Sequence, residues 1–193
     1  EKKMGWKASD TRSVYFDQMR IPKENILGNV GTGFKQFLKT LTIGRITISA
    51  LALGTASGAY ELALKYSQER TAFGKKISSF QGISFKLADM ATQIAASRQL
   101  IYHAAWLYDN NKDVIKDAAI AKLFSSEAAM KITTEAIQVH GGYGYIEDYH
   151  VERFFRDAKI LEIGEGTSDV QRMIIARAVS YTHLLAHETL VDR

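Results

Sequence analysis

The chain has 193 residues, 46% of them hydrophobic and 24% charged, a balance that suits a packed core and excludes a disordered chain. Its formal charge of +4 comes from Lys and Arg that are scattered rather than clustered, so the basic stripe of a duplex nucleic-acid binder is missing. There is no cysteine, which excludes disulfides and thiolate chemistry, and charged residues interrupt every apolar run, so no membrane-spanning helix is expected.

The sequence opens at Glu1-Lys2-Lys3-Met4, without an initiator methionine or the pattern of a signal peptide, and reads as a fragment. Ser13-Val14-Tyr15-Phe16 has β-type alternation, and Arg20 to Asn25 has turn chemistry around Pro22, the only proline. From Gly33 the apolar period becomes helical: Phe34, Phe37, Leu38, Leu41, Ile48 and Leu51 predict a first helix running to about Arg70. Thr71 to Ser79 reads as a loop. A second helix is predicted from about Phe80 to Tyr108, broken by Asp109-Asn110-Asn111. A third runs from about Val114 to His140 and stops at Gly141-Gly142, as a helix C-terminus prefers. A short helix over His150 to Asp157 follows, then a last one over about Ser168 to Ala178, with Ser168 and Gln171 spaced as a capping box.

Long helices joined by short loops predict an all-α domain, an antiparallel four-helix bundle over residues 31–179. The small residues from Ala50 to Ala59 imply close helix packing, within or between subunits. Residues 180–193 do not extend the preceding helical pattern and look like a non-native tail. His183 and His187 have the spacing of a zinc pair but lack an evident third ligand, so no metal is assigned.

Several clusters suggest chemistry, each beside a plainer reading. Glu165 stands between Gly164 and Gly166 at the entrance of the last helix; it is either a general base held close to a ligand or a first-turn acid complementing the helix dipole. Gly28, Gly31 and Gly33 miss the spacing of a dinucleotide-binding loop and read as a turn. Glu147 and His150 form a single E-x-x-H, whereas a di-iron bundle needs two. Arg70, Phe73 and Gln81 flank one interhelix loop and could hold a diphosphate and a flat ring, or merely connect two helices. Gln138, Val139, His140, Gly141 and Gly142 end a helix, where bare backbone N–H groups could also cradle an extended ligand.

Taken in order, Arg45, the R-x-x-F-G-x-x-I-x-x-F-Q run from Arg70 to Gln81, Q-x-x-G-G-x-G-Y from Gln138, E-R-x-x-R-D-A-K from Glu152 and E-G-T-S from Glu165 closely resemble the acyl-CoA dehydrogenases. The resemblance covers nearly everything from Lys3 to Arg177. It implies that residues 1–30 end the family's middle β-barrel domain and that the helical remainder is its C-terminal four-helix domain.

It further implies FAD as cofactor and a fatty acyl-CoA as substrate, converted to the trans-2-enoyl-CoA. Glu165 is implied as the α-proton base, with hydride passing to flavin N5. Arg45 and Gly166 are implied substrate contacts. Arg70, Phe73, Gln81 and Gln138 to Gly142 would reach the FAD of a neighbouring subunit, while Thr167, Ser168 and Asp169 would lie near FAD in the same subunit. A homodimer or homotetramer, electron-transferring flavoprotein as partner and a place in fatty-acid β-oxidation are implied too. So is a bacterial cytoplasm, or a mitochondrial matrix were the source eukaryotic.

Two positions depart from the family pattern. Gly164 replaces a common tyrosine before the base, and Thr42 replaces the aspartate three residues before Arg45. Some members carry the base on the first long helix, one residue before that arginine; here the position is Gly44, which leaves Glu165 without a rival. A related acyl-CoA oxidase, or a helical scaffold that has lost the chemistry, are the alternatives. The 193-residue piece alone is expected to be inactive, because the flavin would sit between this domain and a β-domain mostly outside it.

Overall fold

The computed structural model describes residues 1–191, with side chains described as far as Ser180. Five α-helices follow one another: α1 (Gly33–Glu69), α2 (Gln81–Asp109), α3 (Ile115–His140), α4 (Val151–Ala158) and α5 (Ser168–Val191). Between α1 and α2 lies a minimal antiparallel hairpin, β1 (Thr71–Ala72) with β2 (Lys75–Lys76), in which Ala72 faces Lys75. The helix starts agree with the sequence reading to within one residue, since turn residues punctuate long stretches otherwise free of proline.

The third helix is the hub, packed against α1, α2, α4 and α5. Along α1 the buried residues are Arg45, Ser49, Ala52, Ala56, Ala59, Ala63 and Ser67, one stripe at spacings of three and four. Ala52, Ala56, Ala59 and Ala63 share a core with Ala128, Ala129, Ile132 and Ala136 of α3. Side chains this small let two helices approach closely, so an inserted methylene here would overpack the seam at about 1–3 kcal/mol.

Four expectations need correction. The β-type run Ser13 to Phe16 is not a strand. Its Val14, Tyr15 and Phe16 stand 72%, 89% and 74% exposed, and a strand without a partner leaves its backbone hydrogen bonds unmade. The nearby segment is pinned instead by the Trp6 N–H, which donates to Asp157 Oδ1 of α4 at 2.6 Å. Next, the loop after Arg70 is a hairpin: Phe73 and Gly74 both have positive φ, 51° and 78°, as a two-residue hairpin turn of the inverted kind requires.

Thirdly, α1 is by length and composition apolar enough to cross a membrane, contrary to the sequence reading. Core helices meet the same criterion, and α1 buries one stripe against its neighbours rather than every face. Finally, α5 does not stop near Ala178 but runs to Val191. The side chains of His183 and His187 lie outside the described residues.

Candidate active site

Glu165 occupies the turn between the 3-10 segment Lys159–Glu162 and α5. Its φ is +55°, uncommon for a side chain larger than glycine, and Gly166 follows at +91°. Such a conformation costs on the order of 1 kcal/mol and survives where surrounding bonds over-determine it. Those bonds are visible. Lys122 of α3 donates from Nζ to the Gly166 carbonyl at 2.8 Å. Gln171 of α5 donates from Nε2 to the same carbonyl at 2.9 Å and to that of Glu165 at 3.3 Å. Both side chains are fully buried.

The Glu165 side chain is half-buried and lies against α1. A Cβ placed on Gly44 would come within 2.8 Å of Glu165 Cδ, so the glycine leaves the space that the carboxylate fills. Next along α1 is Arg45, itself buried. Burial lowers the pKa of its guanidinium, and the Glu165 carboxylate opposes that effect. The Lys122 ammonium is likewise pushed down by burial, partly offset by Glu162, with Arg45 lowering it further and Glu127 and Glu165 raising it. The charge of one carboxylate thus acts on two buried cations. Arg45 Nε, Ser168 Oγ and Gln171 Oε1 are buried there without a hydrogen-bond partner in the chain.

At the start of α5 the cap is Thr167, not Ser168: the Val170 N–H donates to Thr167 Oγ1 at 3.3 Å. Ser168 is the first helical residue, and Asp169 is exposed in the first turn. Arg45 also borders an open concavity of about 900 Å³ bounded by Thr42 and Leu38 of α1, Tyr108 and Val114 at the α2–α3 turn, and Ile174 of α5.

A second concavity, of about 820 Å³, lies between the hairpin and the C-terminal end of α3. It gathers Arg70, Phe73 and the run Gln138 to Gly142 from two distant stretches of chain. Gln81 does not line it; it opens α2 as an exposed residue between Phe80 and Gly82, which do. Phe73 is 95% exposed, an apolar ring held by a positive-φ turn at the rim. Behind it the Arg70 guanidinium sits 5.4 Å from the Tyr143 ring centroid. His140 stacks on Tyr66 with centroids 4.3 Å apart, and its Nδ1–H donates to the Ala136 carbonyl at 2.8 Å.

His140 supplies a test of stability against pH. Burial depresses its pKa below the ordinary 6.5. The unfolded chain therefore takes up this proton first as pH falls, and the folded state loses ground. The contribution is complete above pH 6.5 and is lost as the pH drops through the depressed folded value. Denaturant titrations of this chain should show that acid-side loss, and His140→Phe, which keeps a ring but cannot titrate, should remove it. Identical pH profiles for the two would mean that His140 is not buried neutral.

Lys122 was not among the residues singled out from sequence, and Gln171 was read only as half of a capping box, whereas its side chain bonds the Glu165 and Gly166 carbonyls. A signal existed for the first: Lys122 lies four residues after Ala118 and before Ser126, on the same small-residue stripe. Glu147 and His150 join no cluster of three metal-ligating residues among the described residues.

Residues 31–180 match the profile of the acyl-CoA dehydrogenase C-terminal domain. Over 175 residues the chain is 54% identical to a probable acyl-CoA dehydrogenase, YngJ, of Bacillus subtilis (strain 168), covering 91% of this chain and 46% of that protein. It superposes on butyryl-CoA dehydrogenase from Megasphaera elsdenii with a TM-score of 0.91 at 50% identity, over 93% of this chain and 47% of that one. A chain solved as PigA with FAD and proline aligns at a TM-score of 0.82 and 32% identity, over 86% and 43%. The chain belongs to the acyl-CoA dehydrogenase family. It spans about half the length of the relatives it matches.

Proposed function

We propose that the protein of which this chain is part is an FAD-dependent acyl-CoA dehydrogenase, with Glu165 as the base that takes the α-proton of a fatty acyl-CoA. The observation that carries this reading is the placement of the Glu165 carboxylate in the space left by Gly44, where its charge acts on the buried cations Arg45 and Lys122. A thioester α-proton is weakly acidic, so its removal needs a fixed base and stabilisation of the charge that develops on the thioester oxygen. The Glu165 backbone N–H supplies a donor for that oxygen. Gly166, without a side chain, would border the thioester, and Arg45 has a buried Nε–H without a partner in the chain. The base keeps the proton while the β-carbon loses hydride and the trans-2-enoyl-CoA leaves.

The residues present fit FAD. Arg70 offers a planar fork of donors for a diphosphate, and Phe73 and Tyr143 present flat apolar surface beside it. The backbone from Gln138 to Gly142 allows close approach, and these groups would serve the cofactor of a second subunit. On the other site Thr167, Ser168 and Asp169 would hold the cofactor of the same subunit, at a helix N-terminus that suits an anion and with a Ser168 hydroxyl free to bond. Gln81, exposed beside the concavity, would reach a cofactor through its amide. When bound, FAD accepts the hydride.

Acyl-CoA as substrate, electron-transferring flavoprotein as acceptor and a homodimer or homotetramer complete the proposal. Residues 1–30 would close the middle β-barrel domain, and the long helices would form the antiparallel four-helix bundle. Full-length protein with butyryl-CoA should reduce electron-transferring flavoprotein and release little peroxide; peroxide as the main product would reassign it as an oxidase. Arg70→Ala should weaken FAD binding by roughly 1.5–3 kcal/mol, the scale of a charged hydrogen bond. Unchanged flavin affinity in that variant would leave Arg70 a connector.

A further inference from the structure

We infer that Lys122 and Gln171 are positioning residues for the proposed base: by donating to adjacent carbonyls of the Glu165-Gly166 turn, from α3 and α5, they hold the carboxylate against Gly44. The inference rests on the reading of Glu165 given above.

Three observations carry it. The turn has two consecutive positive φ values, one of them at a glutamate, and would relax if released. Its carbonyls are the acceptors of the buried donors: Lys122 Nζ and Gln171 Nε2 converge on Gly166, and Gln171 reaches Glu165 as well. Lastly, a lysine with no solvent exposure is an expensive way to fasten a loop. An apolar residue would pack α3 against α5 at lower cost, so stability alone does not account for an ammonium here.

Neither group touches the carboxylate through a hydrogen bond of its own; each acts on the backbone that aims it. The two donors also differ in kind. Gln171 lies on the same helix that the turn opens and sets local geometry. Lys122 ties the turn to α3, the hub, and so registers Glu165 against α1 across the core. A displacement of about 1 Å at a reacting group can cost on the order of 10²-fold in rate.

The test uses the full-length, FAD-loaded enzyme with butyryl-CoA, in wild type, Lys122→Met, Gln171→Met and Glu165→Gln. Methionine keeps the length of each side chain and removes its donors. Lys122→Met should lower kcat by roughly 30-fold or more with KM within about threefold, the pattern of a contact that matters in the transition state. Flavin content should be unchanged. The isotope effect from α-deuterated substrate should rise while that from β-deuterated substrate does not, because proton removal alone has been hindered. Gln171→Met should change the same quantities in the same direction by about 10-fold, and it decides the matter if Lys122→Met does not fold.

Wild-type kcat in the folded variants would overturn the inference, as would a loss of rate with unaltered isotope effects. Glu165→Gln separates the two levels. If it is inactive while Lys122→Met and Gln171→Met are normal, only the positioning role fails. If it turns over normally, the assignment of the base fails first.

Discussion

Gly44→Ala is expected to leave the protein at least as stable as before and to cost it on the order of 10²-fold in turnover. The two effects separate because they arise from different atoms. Glycine inside a long helix is worse than alanine by about 0.8–1 kcal/mol, so α1 itself gains from the change. The added Cβ, however, would approach Glu165 Cδ to 2.8 Å. Those atoms are the far end of a flexible side chain, which swings away cheaply and takes the carboxylate out of its place. Thermal unfolding of this chain reports the first effect, and kcat of the full-length variant reports the second. A Gly44→Ala enzyme with full activity would show that the carboxylate reacts from some other position.

The same glycine illustrates how far the sequence could be read. The helices were legible because their ends carry ordinary punctuation: Asp109-Asn110-Asn111 after α2, Gly141 with its φ of 60° after α3, and a threonine cap before α5. That the cap is Thr167 rather than Ser168 shifts the frame by one residue, which is within the range over which helix starts blur. The hairpin at Phe73-Gly74 was not legible, since phenylalanine is a poor candidate for a positive φ and two-residue strands have no period to detect. Ser13 to Phe16 misled for the opposite reason: its alternation is genuine, but a strand is a property of a sheet, and no partner strand lies beside it among the described residues.

The candidate site divides in the same way. Glu165, Arg70 and the glycines after His140 announce themselves in short motifs, each on one piece of chain. What motifs do not contain is contact across the core. That Gly44 faces the Glu165 carboxylate, and that Lys122 meets the Gly166 carbonyl 44 residues away, follow only from the packing of α1, α3 and the turn before α5. Lys122 among alanines and serines reads at first as a helix-surface lysine, and its stripe position was the one clue to burial.

Whether Glu165 takes the substrate α-proton is decided by anaerobic flavin reduction by butyryl-CoA in full-length Glu165→Gln. Glutamine keeps the size and the hydrogen-bonding reach of the side chain but cannot accept the proton. A general base of this kind contributes about 10²–10⁴-fold to rate. The anchoring bonds from Lys122 and Gln171 go to backbone carbonyls, so the exchange leaves them in place. If Glu165 is the base, the variant binds FAD as the parent does, binds acyl-CoA, and bleaches its flavin slower by about 10³-fold or more. Bleaching at close to the parental rate would contradict that assignment.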